Sequence, residues 1–185
     1  ACYSQNCWHS KIMSNSYVTE LSTKIATPGL FARYVSQGTA SPWRMARHMA
    51  VLDRELTDIE TGANNRLIVQ MPPRHGKSFL TSGYFPAHYL GIHPNRNIIL
   101  TSATADLAMD FSGMARDLLA EHGWMFGVSL RKDRQAREHC ELDQGGKFRA
   151  AGVGGGIMGR GADLLIIDDY CMNVESALSE TQRIK

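Results

Sequence analysis

The chain has 185 residues, 43% hydrophobic and 21% charged, with 20 Lys and Arg against 18 Asp and Glu for a formal charge of +2. That length suits one domain with a single core, and so slight a charge leaves any basic surface local. No apolar run approaches the roughly 18 residues of a membrane span, and the N-terminus lacks the basic-then-apolar layout of a signal peptide, so an intracellular protein is expected.

The four cysteines, Cys2, Cys7, Cys140 and Cys171, are too sparse for a disulfide framework. Cys2, Cys7 and His9 have no second ligand pair to complete a zinc site, which leaves reduced thiols as the expectation. A Met13-Ser14 pair follows an unpatterned start, so residues 1–12 are expected to be tag or upstream read-through. Residues 1–40 are taken as an N-terminal segment without a strong period, and residues 41–185 as a partial domain. The polar stretch 176–185 stops without a cap, as a fragment would.

A helix is expected from Ser41, its cap, and Pro42, with Met45, Met49, Leu52 and Leu56 on one face and Gly62 as its stop. Residues 66–71 carry Leu67, Ile68 and Val69, a short run typical of a buried parallel strand. A helix over 77–90, kinked at Pro86, is expected to end at Gly91. Strand 97–102 and helix 106–122 follow, the helix burying Leu107, Phe111, Met114 and Leu118 and stopping at Gly123. Residues 131–149 mix six bases with four acids. A third strand is expected over 148–153, and a glycine-rich loop, 154–161, leads into Leu164-Leu-Ile-Ile-Asp168, the most apolar strand. Alternating strands and helices imply an α/β fold with a mainly parallel sheet flanked by helices.

Met71-Pro-Pro-Arg-His-Gly-Lys-Ser78 lies between a predicted strand and a predicted helix, the context of a nucleotide-phosphate loop. Pro73, Arg74, His75, Gly76, Lys77 and Ser78 would cradle the phosphates of ATP. Gly76 lets backbone N–H groups close in, Lys77 neutralises β- and γ-phosphate charge, and Ser78 offers its hydroxyl to Mg²⁺. Met71 stands where the standard pattern begins with glycine. Asp168, ejected at the C-terminal end of an apolar strand, is the second Mg²⁺ ligand, and Asp169 is the candidate general base. The interval between Lys77 and Asp168 holds the extra strand 97–102, typical of ATPases of the RecA-like (ASCE) type. Together these features imply a P-loop NTPase fold, incomplete at the C-terminus.

The run from Arg66 to Ser78, the stretch from Tyr84 to Pro94 and the block from Ala151 to Asp169 resemble the ATPase domain of phage terminase large subunits, including the missing leading glycine. Asn173, Glu175, Ala177, Ser179 and Arg183 fall where that family's next helix begins, and Tyr170 departs from its usual proline. The resemblance implies an ATP-driven motor that moves double-stranded viral DNA into a procapsid. It also implies an oligomeric ring on a portal protein, a small terminase subunit as partner, host cytoplasm as location, and a C-terminal nuclease domain outside these residues. Arg74 would sit near the γ-phosphate and Arg160 would reach a neighbouring subunit's ATP. The 131–149 cluster and the 154–161 loop are candidate DNA contacts, with a solvated charged face as the plainer reading; Gln70 and His48 are candidates to seat adenine.

Two rivals remain at this level. A RecA-like helicase is suggested by Thr101-Ser-Ala-Thr104, although helicases place that motif after the Mg²⁺-binding acid. A non-catalytic nucleotide-binding prophage remnant would share the loop without turnover.

Overall fold

The computed structural model describes residues 15–152 and 159–170. Two helices form where the sequence shows no strong period: α1 (Asn15–Lys24) and α2 (Pro28–Val35). Thr27 caps α2, its hydroxyl accepting from the Leu30 N–H, and Pro28 occupies the first turn. Asp53, on the next helix, accepts from the Gly29 N–H at 2.6 Å and from the Thr27 hydroxyl at 2.7 Å, fixing the start of α2 from outside. Phe31 and Ala32 then enter the core.

Helix α3 runs Arg47–Thr61 and ends, as expected, on Gly62 at φ 79°. Its start differs from the expectation at Ser41-Pro42. Residues 42–46 are not helical: the Trp43 N–H donates to Ser36 Oγ at 2.8 Å, and the indole packs edge-on against Tyr84. Tertiary contacts here override a local capping signal.

Residues 77–92 are helical throughout, in three pieces. An α-helical opening passes into a π-helical segment, Phe79–Tyr84, where the Phe85 N–H reaches back five residues to the Leu80 carbonyl; α4 (Phe85–Ile92) follows. The irregularity is therefore the wide turn, and not a Pro86 kink. Pro86 sits in the first turn of α4, where no intrahelical N–H is needed.

Strand β1 (Asn97–Ser102) lies as predicted. Helix α5 (Ala105–His122) is capped by Thr104 and stops at Gly123, and a short 3₁₀ turn, Gly123–Phe126, continues from it. Its buried face is Ala108, Ser112, Ala115 and Leu119, not the Leu107–Leu118 row expected. Small residues let the helix approach β1 closely, and the large ones flank it: Phe111 meets Phe79 edge-on at 6.0 Å. Strands β2 (Leu130–Gln135), β3 (His139–Leu142), β4 (Lys147–Gly152) and β5 (Leu164–Asp168) complete a five-stranded sheet of order β2-β3-β4-β1-β5.

The sheet is mixed. β4, β1 and β5 are parallel, whereas β2 and β3 are antiparallel to their neighbours. A connection of only three residues, 136–138, joins β2 to β3, and so short a link permits only a hairpin. The expected strand at 66–71 is absent; those residues form neither strand nor helix. β5 is also not the buried strand anticipated. It lies at the end of the described sheet, with Leu165 and Ile167 56% and 59% exposed. Ile98, Leu100, Phe148 and Leu142 form the sheet's contribution to the core, against α5 and, beyond it, α2–α4.

Candidate functional site

The parallel strands β1, β4 and β5 end level with one another, Ser102 pairing with both Gly152 and Asp168. Asp168 is therefore delivered to the carboxyl edge of the sheet, where open α/β folds bind ligands. Its side chain is 5% exposed, and both oxygens are held. Ser78 Oγ donates to Oδ1 at 3.1 Å, and Ser82 Oγ donates to Oδ2 at 2.9 Å.

The loop that brings Ser78 there turns on two left-handed residues, Arg74 at φ 62° and Gly76 at φ 85°. A side chain at position 76 would strain this backbone and would meet the Trp43 ring at 3.1 Å, so glycine is required twice over. His75 is tied to its own loop, Nδ1–H donating to the Pro73 carbonyl at 2.8 Å, and its ring meets His48 edge-on at 5.9 Å. The helix opening at Lys77 aims its free N–H groups and positive dipole end back into the loop.

Lys77 Nζ donates to Asp169 Oδ1 at 2.8 Å and lies 3.3 Å from Asp168 Oδ1. Burial works to lower the pKa of this ammonium, but the hydrogen bond to Asp169 and the charges of both aspartates outweigh it and hold the group above the ordinary lysine value. Lys77 is thus fully charged at neutral pH. Asp169 has φ 45°, a left-handed backbone that turns its exposed carboxylate toward Lys77. Loop and acidic strand, 90 residues apart in sequence, meet through four side chains: Lys77, Ser78, Asp168 and Asp169.

Residues 68–184 match the family described as terminase large subunit, T4likevirus-type, N-terminal. The chain belongs to that family. No curated protein and no solved structure matches it. Terminase large subunits are the motor subunits of phage DNA packaging, and membership carries that general role.

Within this terminase chain the remaining candidates are dispersed. Arg74 is exposed on the loop, while Pro73 and His75 flank it. Arg160 shares no hydrogen bond, ion pair or cavity with Lys77 among the described residues; it lines a separate cavity beside β4. In the charged stretch, Arg131 and Arg134 form ion pairs with Glu141 and Asp133. Gln70 is exposed, and His48 serves the loop through His75. Cys2, Cys7, His9, residues 154–158 and the candidate positions from Asn173 onward lie outside the described residues. Among the described residues no helix is long and apolar enough to cross a membrane.

Ser82 is the participant that the sequence reading missed. It follows Ser78 by four residues, one helical turn, so both hydroxyls face the same side. That spacing was the available signal.

A groove of about 730 Å³ runs from Lys77 and Asp168 along β5, with Ile68 and Val69 on one bank and Leu165 and Ile167 on the other.

Proposed function

We propose that this terminase chain is a Mg²⁺-dependent ATPase motor domain of the P-loop, RecA-like type, hydrolysing ATP to drive double-stranded DNA into a procapsid. The observation that carries the reading is the junction of Lys77 and Ser78 with Asp168: a cation, a hydroxyl and a carboxylate at a helix N-terminus. Hard oxygen donors of this kind suit Mg²⁺, so Ser78 and Asp168 would hold it, directly or through water. When bound, the ion would neutralise charge on the β- and γ-phosphate oxygens.

The chain's own residues supply the rest. Backbone N–H groups of 73–78, curled by Arg74 and Gly76, face the phosphates. Lys77 exchanges its carboxylate partners for phosphate oxygens, and that exchange frees Asp169 to accept a proton from the attacking water. Ser82 keeps Asp168 from rotating. Arg74 stands beside the loop as the candidate γ-phosphate contact. The motor works as a ring on the portal, with the small terminase subunit as a further partner.

The test is ATP binding in the presence of Mg²⁺. Lys77→Ala is expected to weaken it at least a hundredfold, the loss of a charge-assisted contact to a triphosphate being worth about 3 kcal/mol. Undiminished binding in that variant excludes the reading.

A further inference from the structure

On the sheet face away from α5, one cross-strand row is Ile99, Arg149 and His139. Beside it lies a cavity of about 190 Å³, lined by these three residues with Glu138, Ala151 and Arg160. Its electrostatics are unusual for so small a space. Arg149 and Arg160 both border it, and neither has an ion pair among the described residues. The His139 ring forms part of the same wall.

The two guanidiniums also act on their surroundings. Burial and then the nearby Arg160 push the pKa of Arg149 down, and burial and then Arg149 do the same for His139. Glu138 is exposed at the rim and forms no ion pair with either arginine, and the nearby Glu141, which acts on Arg149 and His139, is itself ion-paired with Arg131 and Arg134. Two guanidiniums without an ion pair beside one cavity suit an anionic occupant.

We propose that this cavity is a phosphate-binding pocket, in which Arg149 and Arg160 hold a single phosphate group beside the His139 ring. Guanidinium forks match phosphate geometry, and donors converging from separate elements define one oxyanion position. The pocket is distinct from the Lys77 loop. β4 stands two strands from β5, roughly 10 Å across the sheet at ordinary strand spacing. The phosphate belongs either to free inorganic phosphate or to a nucleic-acid backbone, and the chemistry is the same for both.

The experiment follows the imidazole resonances of His139 by NMR in the intact chain during titration with inorganic phosphate, with chloride at equal ionic strength as the control. A saturable shift produced by phosphate and not by chloride is expected. Arg149→Gln and Arg160→Gln should each raise the phosphate concentration required by roughly tenfold or more. The shift should survive Lys77→Ala, which separates this pocket from the ATP site. No shift, an equal shift with chloride, or a shift indifferent to both arginine changes overturns the proposal. Should Arg149→Gln misfold, the exposed Arg160 carries the test alone. Competition by a short DNA duplex assigns the pocket to the backbone, and indifference to duplex assigns it to free phosphate.

Discussion

Arg74 shows how the site trades stability for geometry. A non-glycine residue at φ 62° costs about 1 kcal/mol or more, and nothing in the loop repays it through an ion pair among the described residues. Arg74→Gly should therefore leave thermal stability unchanged or raise it by about 0.5–1 kcal/mol, while ATP turnover by assembled motors falls. A chemical melt alongside a phosphate-release assay checks both halves, and a destabilised but fully active variant would deny the arginine its role. Cys140 makes the opposite case. Burial pushes its thiol up to about 11, so native protein should resist alkylation there at neutral pH while denatured protein reacts, as peptide mapping would reveal. The Lys77, Ser78 and Asp168 trio was legible in the sequence because its chemistry demands those residue types beside a strand end and a helix start. Ser82 was passed over, since its four-residue spacing from Ser78 points to the site only once Asp168 is known to lie beside both.

Elements were legible where local and tertiary preferences agree. Strand 97–102 and the helix ending at Gly62 lie where the sequence puts them, and the Thr104 and Gly123 termini of α5 follow ordinary capping chemistry. The face of α5 was misread because large apolar residues dominate a periodicity, whereas close packing on a sheet selects Ala108, Ser112 and Ala115. The 66–71 run has strand composition, but a strand also needs a neighbour's backbone, and these residues pair with none among the described residues. The β2–β3 hairpin hid under its charges. The π-helical turn bears on function, because it sets Ser82 against Asp168 behind Ser78. Ser82→Ala leaves a buried carboxylate oxygen unsatisfied, and a loss of about 1–3 kcal/mol is expected. Mg²⁺ affinity in the presence of ATP should fall with it, and a calorimetric titration of the metal would register no change if Ser82 were a bystander.

The whole molecule places its sites on a sheet whose described helices pack on one face, leaving Leu165 and Ile167 exposed on the other. Its pH response follows from two imidazoles. Burial holds the pKa of His122, and burial with Arg149 that of His139, below the ordinary 6.5, so the unfolded chain binds protons that the native chain refuses. Their penalty is absent above pH 6.5 and grows as pH falls beneath it, above the range where carboxylates titrate. Melting temperature should accordingly drop between pH 7.5 and 5.5, on the order of a few degrees, and His122→Gln should flatten that slope. Glu20 and Asp133, held low by Lys24 and Arg131, add a separate loss at more acidic pH.

The central claim is that Lys77, Ser78 and Asp168 serve one triphosphate and its metal. A crystal structure of the chain with Mg²⁺ and a non-hydrolysable ATP analogue tests it most directly. The account predicts Mg²⁺ about 2.1 Å from Ser78 Oγ, Asp168 bound to it directly or through one water, and Lys77 Nζ moved from Asp169 onto the phosphates. Nucleotide seated elsewhere, with Lys77 still paired to Asp169, would contradict it.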